Sequence, residues 1–289
     1  MNGTALQSHV TPMPMAADAP IGIFDSGIGG LSVLRHVRIA LPQEKLLYFA
    51  DSGYAPYGDK NEQQIVERSL AVAGFLIEAG IKALVVACNT ATAAAILAIR
   101  ERWPQLVVVG IEPGLKPAAA QSKSKIIGVL ATRSTLSSKR FIQLREQVAV
   151  NTGARFLSQA CVGLVDQIEK GELLAATTAR LVDQYVAPLI EQGADTLVLG
   201  CTHYPFVRTL IESAARHAGL ATPIIIDTGE AVTRQLQRLL EERSLLCNTA
   251  VAQGDMTAYT TASAATLENV FSKLLKMRPD IVQINGKTP

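Results

Sequence analysis

The sequence predicts an α/β fold of two similar units with mainly parallel sheets. Three observations carry this. Short apolar runs alternate with amphipathic stretches along most of the chain, the pattern of strand–helix repeats. The segment Glu78–Thr90 reappears as Glu191–His203, both reading E-x-G-x-x-x-L-V-(V/L)-(A/G)-C-x-x, with Cys88 and Cys201 113 residues apart. The run Ile127-Gly128-Val129-Leu130 likewise matches Ile21-Gly22-Ile23-Phe24. The expected division is an N-terminal tail over 1–19, a first unit from 20–114 plus 222–289, and a second unit over 115–221.

In order, residues 21–24 read as a strand, Asp25-Ser26-Gly27-Ile28-Gly29-Gly30 as a glycine turn and Leu31–Ala40 as a helix with Pro42 beyond it. Leu46–Ala50 is a second strand, ending at Asp51-Ser52-Gly53, and residues 54–58 are a loop. Helical periodicity over 61–79 stops at Gly80. Ala83–Ala87 is a third strand that delivers Cys88; Asn89 and Thr90 suit a helix cap, and Ala91–Arg102 is rich in helix formers. Val107–Ile111 is a fourth strand.

The second unit repeats the scheme. Residues 125–130 form a strand, Thr132-Arg133-Ser134-Thr135 replaces the first turn, and a helix runs from Ser137 to Val148. Ala154–Leu157 is a short strand, followed by Cys161 and a loop. Residues 173–192 are helical up to Gly193, and Thr196–Gly200 delivers Cys201 before a helix from Pro205 to His217. Ile224–Ile226 is a strand and Ala231–Glu241 a helix; the tail from 247 shows one helical pattern, over 267–275.

Composition sets limits on function. The chain has 289 residues, 48% hydrophobic and 18% charged, ample for a sizeable core. A net charge of +2 gives no electrostatic case for nucleic acid or an anionic membrane. No apolar run is long enough to span a bilayer, and residues 1–19 lack the pattern of a secretory signal. A cytoplasmic location is the expectation, with reduced cysteines. The four cysteines, at 88, 161, 201 and 247, include no C-x-x-C pair.

The turn at Asp25–Gly30 invites a dinucleotide reading, with Asp51 where a ribose-binding acid would lie. Against this, Ser32 occupies the place of the third glycine, and Asp25 would sit close to a pyrophosphate. No Walker A lysine is present. A small ligand held by amide groups at the helix start, with Asp25 acting beside it, is the functional alternative to a plain structural turn. A single buried cysteine is ordinarily a packing residue, and Cys161 and Cys247 are read so. Cys88 and Cys201 differ because they lie at equivalent strand-to-helix junctions, where a thiol gains reactivity. His203, two residues on, can orient Cys201 or exchange protons with it. A metal held by Cys201 and His203 lacks further ligands at suitable spacing.

Taken together, Asp25-Ser26-Gly27 with Gly29-Gly30, Pro56-Tyr57-Gly58, Cys88-Asn89-Thr90-Ala91 and Gly200-Cys201-Thr202-His203 with Pro205 resemble the cofactor-independent glutamate racemases of bacterial cell-wall synthesis. The resemblance implies two α/β domains with the active site between them and a C-terminal part returning to the first. It implies Cys88 and Cys201 as catalytic thiols, assisted by Asp25 and His203 respectively. It implies substrate contacts from Asp25, Ser26, Tyr57, Gly58, Asn89, Thr90, Thr202 and His203, with Thr132 and Thr135 added although Ser134-Thr135 replaces the family's Gly-Thr. An acidic helper in mid-chain matches Glu169 best, with Asp166 the other candidate. No pyridoxal phosphate or metal is implied. Some longer members respond to a cell-wall precursor activator through the N-terminal region, which the extra residues 1–20 leave open here, and a homodimer is expected. The competing readings are an aspartate racemase, another two-cysteine enzyme such as a decarboxylase or maleate isomerase, and a non-catalytic ligand-binding module.

Overall fold

The computed structural model describes residues 16–249 and 252–284. Most of the expected tail, residues 1–15, therefore lies outside the described residues. The first unit opens with β1 (Ile21–Asp25), α1 (Leu31–Ala40), β2 (Leu46–Ala50), α2 (Glu62–Glu78), β3 (Ala83–Val86), α3 (Asn89–Arg102) and β4 (Val107–Gly110). The second comprises α4 (Leu115–Gln121), which packs on the smaller sheet, then β5 (Ile126–Ala131), α5 (Arg133–Ser137), α6 (Lys139–Thr152), β6 (Arg155–Ala160), α7 (Leu164–Glu169), α8 (Ala176–Glu191), β7 (Thr196–Gly200), α9 (Arg208–His217) and β8 (Ile224–Ile226). The chain ends with α10 (Gly229–Glu242), β9 (Met256–Thr260), α11 (Ala264–Leu275) and β10 (Asp280–Gln283).

Every strand pairing is parallel. The larger sheet has the order β10-β9-β2-β1-β3-β4 and the smaller one β6-β5-β7-β8. The sequence repeat is thus a topological repeat, with β2-β1-β3-β4 superposable in order on β6-β5-β7-β8. In each sheet the chain leaves a central strand to one side and returns on the other. The crevice at those carboxyl ends is where open α/β sheets bind ligands. Asp25 and Cys88 stand at the ends of β1 and β3; Thr132 and Cys201 follow β5 and β7.

Both faces of each sheet are covered, which is why the strands read as unbroken apolar runs. Ile21 and Ile23 of β1 pack with Leu34 and Val37 of α1, Leu236 of α10 and Phe271 of α11. Phe24 and Val86 face Ile65, Leu76 and Ile99 of α2 and α3. Leu197 and Leu199 of β7 pack with Val186 and Leu189 of α8, and that apolar cluster is continuous with the first sheet's. Asn61 caps α2, its side chain accepting from the Gln64 amide at 2.9 Å. Gly80 and Gly193 end the helices before β3 and β7 at φ +83° and +91°, a left-handed conformation that glycine adopts without strain.

Several elements differ from the sequence reading. The C-terminal section does return to the first sheet, but through two strands, β9 and β10, that its mixed composition hid. Ile224–Ile226 pairs with β7, so this strand lies in the smaller sheet although the expected boundary at 222 put it with the first unit. The helix expected over Ser137–Val148 is two, because Ser138 stops α5 and caps α6, accepting from the Phe141 amide at 3.2 Å. The loop after Cys161 contains α7, too short to show periodicity. Cys88 itself, rather than Asn89 or Thr90, caps α3: its sulfur accepts from the Ala91 amide at 3.4 Å.

Candidate active site

On the first sheet's side, β1 delivers Asp25 fully buried into the glycine turn, and its Oδ2 accepts from the Gly27 amide at 2.9 Å. The Tyr48 hydroxyl on β2 donates to the Gly27 carbonyl at 2.8 Å and fixes that turn from below. The Ser26 Oγ lies 3.5 Å from the Cys88 Sγ. Burial, then the Asp25 charge, pushes the Cys88 thiol up to about 12, against the hydrogen bonds from Ser26 and Ala91. The protonated form of Cys88 is favoured by burial and by Asp25, which acts on it through charge, while Ser26 touches it.

On the second sheet's side, Cys201 Sγ lies 3.7 Å from His203 Nδ1. The other ring nitrogen, Nε2, is 2.6 Å from Glu169 Oε1. The same oxygen accepts from the Ile28 amide of the first turn at 2.8 Å. Glu169, not Asp166, is thus the acid of α7 that reaches the site. Burial opposes a charge on His203, but its contacts with Cys201 and Glu169 outweigh burial and raise it well above its ordinary 6.5. Burial raises Asp25, against His203, the Gly27 amide and the Thr202 hydroxyl.

The two sides meet directly. Thr202 donates to Asp25 Oδ1 at 3.1 Å, and Ser32 donates to the Thr202 carbonyl at 2.9 Å, with the Gly29 carbonyl also 2.8 Å away. The turn must be glycine here: a Cβ on Gly29 would lie 2.3 Å from His203 Nδ1. Each thiol is close enough to the other that a charge on Cys201 raises the pKa of Cys88. Cys88 and Cys201 are 5% and 6% exposed.

A second junction closes the cleft further along. The hydroxyl of Thr90 meets those of Thr132 at 2.9 Å and Thr135 at 3.2 Å. Gly58 abuts this cluster, since a Cβ there would stand 3.0 Å from the Thr132 Cβ. Asn89 is buried beside Cys88, and neither polar atom of its amide has a hydrogen-bond partner. Buried polar groups ordinarily find a partner, and Asn89 is the residue here with both ends of its amide unpaired beside a thiol, so this amide suits a polar ligand. The expected residues Asp25, Ser26, Cys88, Cys201, Thr202, His203 and Glu169 meet at the first junction and Gly58, Thr90, Thr132 and Thr135 at the second, while Tyr57 turns its hydroxyl to Asp51. Among the described residues no cluster of three His, Cys, Asp or Glu side chains could hold a metal ion. The sequence reading missed Ser32 and Tyr48 as builders of the site. Ser32 had a signal, standing where a dinucleotide turn needs glycine; Tyr48 had none beyond its place in a buried strand.

Paired parallel sheets with a thiol at equivalent strand ends define a class. The family described as Asp/Glu/Hydantoin racemase matches residues 30–236, and the chain belongs to it. Its curated relatives at about 50% identity include several glutamate racemases. The chain is 52% identical over 230 residues to the glutamate racemase of Ectopseudomonas mendocina, covering 80% of this chain and 85% of that one. It superposes on a glutamate racemase isoform of Bacillus anthracis with a TM-score of 0.83 and 29% identity, covering 94% and 99% of the two chains. It also superposes on Escherichia coli glutamate racemase in complex with L-glutamate and the activator UDP-MurNAc-ala, with a TM-score of 0.78 and 28% identity, covering 92% and 97%.

Proposed function

We propose that this protein is a glutamate racemase that interconverts L- and D-glutamate with two thiols, and that it supplies D-glutamate for peptidoglycan. The supporting observation is the meeting of two equivalent strand ends, each carrying a cysteine with its own acid–base neighbours: Ser26 and Asp25 beside Cys88, His203 and Glu169 beside Cys201. Enantiomers have equal free energy, so the site must work both ways. A single base tends to return the proton to the face it came from. Two opposed sulfurs avoid this. Cys201 as thiolate takes the Cα proton of L-glutamate, and the Cys88 thiol then delivers its own proton to the other face, giving D-glutamate. The reverse reaction starts with Cys88 as thiolate. The carbanion's charge spreads onto the α-carboxylate, where Asn89, Thr90 and Thr202 offer preorganised polar groups.

The test is incubation with D-glutamate in deuterated water. Deuterium at Cα in both enantiomers is the expected result, with racemisation abolished in Cys88→Ala and Cys201→Ala. Folded protein with no exchange on either enantiomer, or full turnover in both variants, refutes the assignment. A panel with aspartate separates the related racemase reading.

An activator of the kind seen with the Escherichia coli protein is also proposed. The N-terminal route expected from the sequence falls outside the described residues. A cavity of about 320 Å³ behind α3, walled by Arg100, Lys116 and Arg140, suits an anionic ligand, although Arg140 is also paired with Glu112. Stimulation by UDP-MurNAc-ala that is lost in Arg100→Ala is the expected outcome, and an unstimulated wild type refutes it. Among the described residues no helix is long and apolar enough to cross a membrane. The cytoplasmic location and the homodimer are proposals for cell fractionation and sedimentation to test.

A further inference from the structure

Asp51, which ends β2, takes no part in the two-thiol chemistry, yet it is fully buried and heavily bonded. Arg68 on α2 grips it with two bonds, Nε to Oδ2 and Nη2 to Oδ1, each 2.7 Å. The Tyr57 hydroxyl donates to Oδ2 at 2.6 Å, and the Thr261 hydroxyl, just past β9, donates to Oδ1 at 2.9 Å. A buried carboxylate is tolerated when a fork-like guanidinium neutralises it and its oxygens are hydrogen-bonded. Here the bonds come from three separate stretches of chain, and one of them is Tyr57, whose neighbour Gly58 abuts Thr132.

The bond to Asp51 fixes the hydroxyl end of Tyr57, a side chain whose ring is held by packing. Its ring is 1% exposed and meets Phe24 edge-on at 6.2 Å. The backbone at 57–58 then forms the wall opposite the threonine cluster, with the contact at Gly58 already at the close limit. A small displacement of the phenol therefore changes the width of the cleft. The strand pairing continues one step further, with the Asp51 amide donating to the Asp25 carbonyl at 3.0 Å, so the anchor is tied to the strand that carries Asp25.

We propose that Asp51 is a positioning residue that holds the Tyr57–Gly58 wall of the glutamate site through the Tyr57 hydroxyl, while Thr261 ties the same carboxylate to the C-terminal strands. This rests on the glutamate racemase reading. Asp51 touches no reacting atom. It sets how tightly substrate is held, and its loss acts on KM rather than on proton transfer.

The experiment compares wild type, Tyr57→Phe, Asp51→Asn and the double variant in both directions, with melting temperatures alongside. Tyr57→Phe keeps the ring and removes only the bond to the carboxylate. It raises KM for both enantiomers roughly tenfold, the scale of one hydrogen bond to a charged group, with kcat within about threefold and a melting temperature lowered by only about a few degrees. The double variant is no worse than Asp51→Asn, because both changes break one connection. Should Asp51→Asn fail to fold, Tyr57→Phe alone decides. Folded Tyr57→Phe with KM unchanged overturns the proposal, as does a large fall in kcat at constant KM, which would place the phenol in the chemistry. A wild type inactive on both enantiomers defeats the racemase reading itself; an active wild type with an indifferent Tyr57→Phe defeats only this inference.

Discussion

Glu169→Gln tests the Cys201 side of the site with little change of shape. The substitution is isosteric, and the new amide oxygen can still accept from the Ile28 amide. What disappears is a negative charge 2.6 Å from His203 Nε2. An opposite charge this close favours the charged form of a titrating group. Contacts with Cys201 and Glu169 hold His203 well above 6.5, so the variant's imidazole titrates lower. A hydrogen bond to a charged group is worth about 1.5–3 kcal/mol. If that energy stabilises proton transfer at Cys201, kcat/KM falls roughly 10- to 150-fold.

The direction of the effect can be resolved further. The equilibrium constant between enantiomers is one, so kcat/KM must fall equally for L- and D-glutamate. Isotope effects are not bound in this way. If Cys201 handles the L face, slowing its proton transfer makes that step limiting. The deuterium effect with 2-deuterated L-glutamate then grows, and the effect with 2-deuterated D-glutamate shrinks, because Cys88 exchange becomes a fast pre-equilibrium. The assays are initial rates by circular dichroism and imidazole titration by NMR. A variant within threefold of wild type with both isotope effects unchanged refutes the role of Glu169. The opposite pattern of isotope effects reverses the assignment of thiols to faces.

Other substitutions probe separate parts of the structure. Gly29→Ala places a Cβ 2.3 Å from His203 Nδ1 and 2.5 Å from Thr202 Oγ1; with the two sheets' loops already in contact, racemisation falls more than about a hundredfold while the far-ultraviolet spectrum stays native, and near-normal activity refutes the close approach. Lys82→Met strands Glu44, whose Oε2 lies 2.5 Å from the buried Lys82 Nζ, and costs about 3–5 kcal/mol in urea unfolding; a cost below about 1 kcal/mol shows the pair to be dispensable. The folded chain holds the Cys88 proton more tightly than the unfolded chain, at about 12 against an ordinary 9.0, so the stability this contributes is complete below pH 9 and is lost as pH rises towards 12. Urea midpoints should therefore fall less steeply above pH 9 in Cys88→Ala than in wild type, and parallel slopes would contradict the burial effect.

How legible the chain was depended on how local each signal is. The strands β1, β3, β5 and β7 were plain because both faces are buried and the run is apolar throughout. Gly80 and Gly193 marked the helix ends because a positive φ there favours the residue that lacks a Cβ. The strands β9 and β10 were hidden because neither is an apolar run: Met256–Thr260, although paired on both sides, is only partly buried, and Asp280–Gln283 is the sheet's edge strand and mostly exposed. The short helices α4 and α7 hold fewer turns than a periodic pattern needs. The break between α5 and α6 hangs on Ser138 as a cap, which a propensity reading passes over.

The site divides in the same way. Cys88 and Cys201 announce themselves because the duplication repeats them, and His203 because it is adjacent to one of them. Glu169 and Asp166 could not be separated by sequence. They sit three residues apart on one short helix, and only the folded chain shows which one bridges His203 to the Ile28 amide. That bridge also explains the glycine turn. A Cβ on Gly27 would fall 1.9 Å from Glu169 Oε1, and one on Gly29 would strike His203. The turn is bare because the opposite unit's acid–base pair occupies the space that side chains would fill. A motif that resembles a phosphate cradle is thus glycine-rich for a different reason: it receives the Glu169 and His203 side chains of the second unit instead of a ligand's phosphates. The same geometry couples the units chemically, since Asp25 and the Ile28 amide belong to one sheet and the Thr202 hydroxyl and Glu169 to the other.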